Sequence, residues 1–305
     1  MLVVGIIGGF IAGIQNTLRA KFVKHLGVHE DVVTVASMMG AATSGIIGSL
    51  IVSGVPHLTV TFWLPFFVSV ALNILIQFWN VKALKLEDAS IVLPLSTAQP
   101  AIAIVMSFLI LREWPTFYGR IGIGLIALGA YILYLKGKEV KLPGLVARST
   151  PLSWHHTLAW IGAPLWRMTQ STGARLALAV AWLGAIAINF DKLATLASNP
   201  SFFSGAVFAL VALAIWIHSS LRGRWHGHDK KHFGVVFLVG ILMGIGVAFQ
   251  NAVFLYGIAP YGGALRRTQV FWVILFATWF LGEKNTLLRL IGSIVIVIGT
   301  ILIAL

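Results

Sequence analysis

The chain has 305 residues, 58% of them hydrophobic and 10% charged, with 22 Lys and Arg against 9 Asp and Glu and no cysteine. This composition excludes a soluble globular domain, a disulfide framework, a thiolate metal site and a cysteine nucleophile. The formal charge of +13 is scattered among short connections between apolar runs, which fits anchoring at a membrane surface and not a nucleic-acid footprint.

Apolar runs of about 20 residues predict ten spans, and because lipid cannot satisfy backbone groups they must be α-helical; no ten-residue alternation of a barrel occurs. The first, 2–19, lacks a basic leader or a small-residue cleavage site and reads as a retained helix. Gly5, Gly9 and Gly13 recur along it at intervals of four, a smooth face for close packing, and Gln15 and Arg19 share a face with Asn16 adjacent. After a second span at 32–54, the third, 60–82, places the amides of Asn73, Gln77 and Asn80 on one face. In the fourth, 89–111, Pro94 and Pro100 bracket Ser96, Thr97 and Gln99 and predict a bend. The fifth covers 116–135.

A connection over 136–173 carries Lys136, Lys138, Lys141, Arg148 and Arg167 with Trp154, Trp160 and Trp166, a composition for the headgroup level. The sixth span, 174–196, holds Asp191, the one carboxylate at membrane depth, followed by Lys192: a coupling site for a proton, or an acid pairing with a local cation. A seventh span, 200–221, is followed by RGRWHGHDKKH, whose His226, His228 and His232 stand among lysines and arginines in no standard metal spacing. The eighth, 233–257, brings Gly240 and Gly244, then Gln250 and Asn251, which correspond to Trp79 and Asn80 of the third. Arg266, Arg267 and Gln269 enter the ninth, 261–282, where an arginine costs about 2.5–3.5 kcal/mol at the bilayer centre unless it finds a partner, reaches an aqueous cavity or snorkels. The tenth is 285–305.

The tail of this pattern occurs twice. At an offset of 170, Gln99 falls on Gln269, Leu111 on Leu281, Glu113 on Glu283, Gly122 on Gly292 and Gly129 on Gly299. The chain therefore reads as two copies of a five-helix unit, 1–135 and 174–305, joined by the linker 136–173. Duplicated membrane units are the usual build of alternating-access carriers, with the solute near the midplane where the copies meet. Glu113 and Glu283 read as signals that close their helices.

Leucine and glutamate ending the fourth span of each copy, Gly-x6-Gly in the fifth, INFDKLATLASNP in the sixth and the basic pair of ALRRTQVFWVILFATWFLGEK in the ninth together resemble the EamA domain of the drug/metabolite transporter superfamily. The resemblance covers all but the linker. It implies an all-α bundle of ten helices as two inverted five-helix repeats, and a central cavity lined by the first, third, fourth, sixth, eighth and ninth. It also implies both termini in the cytoplasm, with a basic second-to-third loop. Here that loop, SGVPHLTV, is uncharged. Of the 22 basic residues, 17 lie on the side away from the termini and only Arg112, Arg120, Lys192, Arg266 and Arg267 on the other, so the positive-inside rule points the opposite way.

The first reading is a secondary active or facilitative transporter for a small polar organic solute, anionic or zwitterionic, such as an amino acid. Arg266 or Arg267 would hold the acid group, with Gln15, Asn16, Arg19, Asn73, Gln77, Asn80, Gln99, Gln250, Asn251 and Gln269 orienting the rest. The same amides also serve as helix-to-helix bonds, and Trp79, Trp182, Phe271 and Trp272 as packing or interfacial rings. The partners implied are the solute, membrane lipid and a proton or counter-solute, with no nucleic acid, no cofactor, no metal and no required oligomer; the expected location is a bacterial inner membrane. The alternatives are an exporter or flippase of amphiphilic, cationic or lipid-linked compounds, and a membrane assembly subunit or enzyme. Absence of a phosphate-binding G-x-x-x-x-G-K-S/T, of H-E-x-x-H and of G-x-S-x-G argues against an ATP-driven pump or an intramembrane hydrolase.

Overall fold

The computed structural model describes residues 1–24, 26–86, 95, 98–135, 171–223, 231–281 and 287–303. Eleven α-helices and a 3-10 turn at Val253–Leu255 run through them: α1 (Leu2–Lys24), α2 (Glu30–Val52), α3 (Val60–Leu86), α4 (Gln99–Leu111), α5 (Phe117–Leu135), α6 (Thr172–Leu196), α7 (Pro200–Leu221), α8 (Phe233–Ala252), α9 (Ala259–Arg266), α10 (Gln269–Leu281) and α11 (Leu287–Leu302). No strand occurs among the described residues. Six helices are long and apolar enough to cross a bilayer, and the apolar stretches Gln99–Leu111, Phe117–Gly129 and Ile291–Leu302 are shorter. The expected linker segment 136–170, the residues Pro94, Ser96 and Thr97, the histidines His226 and His228, and Glu283 lie outside the described residues.

Local chemistry sets the helix starts. Asn199 accepts from the Phe202 amide at 2.8 Å to cap α7, Ser171 accepts from Ala174 at 3.0 Å to cap α6, and His29 accepts from Asp31 at 3.2 Å ahead of the acidic first turn of α2. The expected ninth span is not one helix. It breaks at Arg267–Thr268 into α9 and α10, so the basic pair sits at the junction, not on a continuous helical face.

Packing repeats the duplication. A Cβ on Gly122 would lie 2.6 Å from the Gly299 carbonyl oxygen, one on Gly299 would lie 2.6 Å from that of Gly122, and one on Gly129 would lie 2.7 Å from that of Gly292. The register rises along α5 as it falls along α11, so these two counterparts cross antiparallel, each glycine meeting the other's partner. The same reciprocity relates α1 on α8, where Gly8 meets Gln250 and Gly246 meets Ile11, to α3 on α6, where Ser69 meets Asp191. The glycine stripes are contact faces: Gly5, Gly9 and Gly13 lie against Leu265, Thr268 and Trp272, and Gly240 and Gly244 against Ser37 and Ala41 of α2. Between the copies, Phe62, Phe66, Val35, Phe203, Val211 and Met243 form a buried apolar cluster.

The bundle has two unlike ends. At the basic end α1, α3, α5, α7 and α10 finish; at the opposite end lie the turns near Ser53, Arg112, Asn199 and Gly257. Gly124, also in α5, faces open space. Gly122→Ala and Gly299→Ala are therefore expected to destabilise by about 1–3 kcal/mol through overpacking. Gly124→Ala should leave the melting temperature in detergent unchanged or raise it. Equal effects at all three positions would contradict the pairing of α5 with α11.

Candidate functional site

At the opposite end, polar groups from both copies meet among apolar side chains. Asp191 of α6 is 7% exposed; its Oδ1 accepts from Ser69 Oγ of α3 at 2.5 Å and its Oδ2 from Arg266 Nη1 of α9 at 3.2 Å. Arg266 Nη2 donates to Asn251 Oδ1 of α8, and Asn251 Nδ2 donates to Ser204 Oγ of α7 at 2.8 Å. The guanidinium carbon lies 5.3 Å from the centre of the Phe254 ring. Asn73 donates to the Ser69 carbonyl at 2.9 Å and to its hydroxyl at 3.2 Å, extending the network one turn along α3.

One residue further along α6, Lys192 pairs with Glu113 and donates to the Gly257 carbonyl at 2.9 Å. The second oxygen of Glu113 accepts from the Ala259 amide at 2.8 Å. That amide is an orphan donor in the first turn of α9, whose own N-cap, Ile258, supplies no side-chain acceptor. Glu113 thus does more than close its own helix: it neutralises Lys192 and caps α9. At the break between α9 and α10, Arg267 Nη2 donates to Gln99 Oε1 at 2.6 Å, and Gln99 lies flat against Gly184 of α6.

At the basic end the helices part around a chamber of about 720 Å³. Asn16, Arg19 and Val23 of α1 line it with Thr34 of α2, Gln77, Phe78 and Trp79 of α3, and Ile215 and His218 of α7; Glu30, Asp31, Lys82, Lys85 and Arg222 complete the lining. Among the described residues its walls come from the first, second, third and seventh spans, where the resemblance implied the first, third, fourth, sixth, eighth and ninth. Arg19 donates to Thr34 Oγ1 at 3.4 Å.

The suspected residues thus divide into groups. Asn16, Arg19 and Gln77 line the chamber, while Asn80 is half-buried outside it. Asn73, Asn251, Arg266, Asp191 and Lys192 belong to the opposite-end network, and Gln99 pairs with Arg267. Gln15 is buried with its Oε1 unbonded, Gln250 donates to the Gly8 carbonyl at 3.4 Å, and half-buried Gln269 starts α10 with its backbone nitrogen facing Gly9. Trp79 faces the chamber, Trp272 packs on Gly13 with Phe271 edge-on to it, and Trp182 is 46% exposed on the outer surface. His232 meets Phe22 edge-on, and among the described residues no three His, Asp or Glu gather as a metal site would require.

Three hydroxyls were not anticipated, Ser69, Ser204 and Thr34. Small hydroxyls in apolar helices usually bond their own backbone, and the sequence holds no mark that separates these three. Glu113 did carry a mark, its recurrence as Glu283 in the second copy.

Residues 1–135 and 171–305 match the model of the EamA-like transporter family. The chain belongs to that family. It is a multi-pass integral membrane protein of the drug/metabolite transporter superfamily, and EamA proteins are transporters, not enzymes. A solved crystal structure, described only as that of a protein, shares 16% identity over 99% of this chain and 98% of its own with a TM-score of 0.71, a likeness of fold alone. No curated protein matches.

Breaking one partner of a largely buried ion pair costs about 3–5 kcal/mol, because the other charge is stranded. Asp191→Asn and Arg266→Gln are each expected to lower unfolding stability in detergent by about that amount. The double substitution should cost less than the sum of the singles by about 1 kcal/mol or more; strictly additive losses would show that the pair is not coupled.

Proposed function

We propose that this EamA protein is a carrier that moves a small polar organic solute by alternating access, rocking ten spans arranged as two inverted five-helix repeats around a site between them. In this reading the conformation described is open at the basic end and closed at the other. The observation that carries it is the contrast between the ends: a chamber of about 720 Å³ at one, cation–carboxylate pairs joining α6 to α9 and to the connection after α4 at the other.

The closed end suits a gate because its ties cross the repeat boundary. Ser69, Gln99 and Glu113 belong to the first copy; Asp191, Lys192 and Arg267 to the second. Separating the copies there must break these bonds together, which gives two discrete arrangements instead of a continuum. Asp191 and Lys192 act in this reading as positioning residues of the gate, and a proton on Asp191 would weaken its hold on Arg266.

In this reading the basic end, to which the sequence pattern assigns 17 of the 22 basic residues, faces the cytoplasm, with the chamber open to it and both termini outside. The chain's lack of cysteine makes this directly measurable. A single Cys at Lys231, exposed at the basic end, is expected to resist a membrane-impermeant maleimide in intact cells, and one at His57, exposed at the other end, to react. The reverse pattern would invert the orientation.

In proteoliposomes, the carrier reading predicts saturable uptake accelerated by the same solute trapped inside, with the solute recovered chemically unchanged. Chemical conversion, or uptake that rises linearly without counterflow across amino acids, organic acids, amines and sugars, would overturn it. Lys192→Gln and Glu113→Gln should each alter the rate of exchange more than solute affinity, as expected for groups that hold a gate.

A further inference from the structure

We propose that Arg19 is the anion-binding residue of the chamber, and that the solute is an organic acid or phosphate with an apolar body. This deepens the carrier reading and rests on it for the word solute, though not for the binding itself.

A cation inside a membrane-spanning helix needs a counter-charge, water or a route to the interface. Arg266 has Asp191 and Asn251, Arg267 has Gln99, and Lys192 has Glu113 and a carbonyl. Arg19 lies within the span Leu2–Val23, and among the described residues no carboxylate stands within ion-pair distance of it. Its contact is a long bond to Thr34, at 3.4 Å, which leaves most of a planar five-donor fork facing a chamber.

The duplication sharpens the contrast. With α1 laid on α6 at an offset of 173, Asn16-x-x-Arg19 falls on Asn189-x-x-Lys192. The two copies therefore carry a cation at one equivalent position. In the second copy it is saturated by protein, and Asn189 is held by Ser107 Oγ at 2.6 Å. In the first copy both residues line open space.

The surroundings fit an acid with a hydrophobic tail. Asn16, Thr34 and Gln77 offer donors beside the guanidinium, and Val23, Val33, Phe78, Trp79 and Ile215 form an apolar wall. Of the charged groups in the lining, Lys82, Lys85 and Arg222 add to the attraction and Glu30 and Asp31 oppose it, while Asp31 stands 3.9 Å from His29. His218 is edge-on to Phe78, with ring centres 4.7 Å apart. The balance favours an anion, and the fork matches a carboxylate or phosphate in bidentate geometry.

The test uses full-length protein in phosphatidylcholine nanodiscs and three probes of one shape, 3-phenylpropionate, its amide and 3-phenylpropylamine, with phenyl phosphate as a second acid. Binding is read by thermal shift and titration. The acids are expected to raise the melting temperature and the amide and amine not to; Arg19→Gln should weaken acid binding about 10- to 100-fold, and Arg19→Lys less. Equal stabilisation by acid and amide, no stabilisation by either acid at millimolar concentration, or unchanged acid affinity in Arg19→Gln would overturn the assignment. Should Arg19→Gln not fold, the ranking of probes on the wild-type chain and on Arg19→Lys decides the question. Discs containing phosphatidylglycerol separate the sources of anion: acid affinity is expected to be unchanged, and competitive loss would assign the site to a lipid headgroup, overturning the soluble solute. Acid binding through Arg19 without counterflow would sink the carrier reading alone, whereas counterflow of neutral solutes without acid binding would sink this one alone.

Discussion

A charge held in a bilayer must be answered within the protein or by water, and that requirement organises both ends of this molecule. At one end Lys192 and Arg266 are met by Glu113 and Asp191, and Ser69, Asn251, Gly257 and the first amide of α9 take up most of the remaining lone pairs and protons, with Arg266 Nε left buried and unbonded. At the other, Arg19 opens into a cavity large enough for several waters. The same residue class is thus treated in two ways, by closure and by hydration. Because separating a buried pair strands both charges, this end would resist opening in the proposed carrier until water or a ligand replaced what is lost.

The backbone framework that allows such a contrast is built from glycine contacts. Where Gly122 meets Gly299 and Gly129 meets Gly292, carbonyl oxygens approach so closely that any side chain would collide, which fixes α5 and α11 as a rigid seam between the copies. Lipid offers no hydrophobic drive for helix association, so close van der Waals contact and interhelical hydrogen bonds supply it. Gly40 against Phe237 and Gly45 against Gly205 extend the same device to α2 with α8 and α7. Cohesion without interdigitating side chains leaves polar groups to decide which end is tied.

How much of this can be read from residues alone follows the range of each signal. The all-helical membrane character comes from composition along the chain, and the two-repeat architecture from matched spacing, so both were legible, as was Gly5–Gly9–Gly13 as a packing face, whereas six helices reach spanning length among the described residues where ten were expected. The break at Arg267–Thr268 was not, since 261–282 is continuously apolar beyond the basic pair and only tertiary bonds to Gln99 and Asp191 mark where it parts. Periodicity placed Asn73, Gln77 and Asn80 on one face, yet that face is wide enough to split: Asn73 serves the network, Gln77 the chamber, and Asn80 neither. Asp191 was legible as a charged residue at membrane depth. Its partner was not the adjacent Lys192 but Arg266, 75 residues on, because neighbours in a helix point apart and cannot pair across the backbone.

That adjacency has a mechanical consequence. Asp191 and Lys192 are consecutive on one helix yet reach different partners, Arg266 at the end of α9 and Glu113 beside its start. The short helix α9 is therefore clamped at both ends by two side chains of α6, directly at one and through Glu113 at the other. In the proposed carrier, a rotation of α6 that released one clamp would strain the other, which favours α9 moving as a unit. The break after α9 carries Arg267, whose guanidinium reaches Gln99 at the first residue of α4, so this two-turn helix is bonded to both copies. A short helix held at its first amide by Glu113 and at its last residue by Asp191 is what the proposed two-position gate would require.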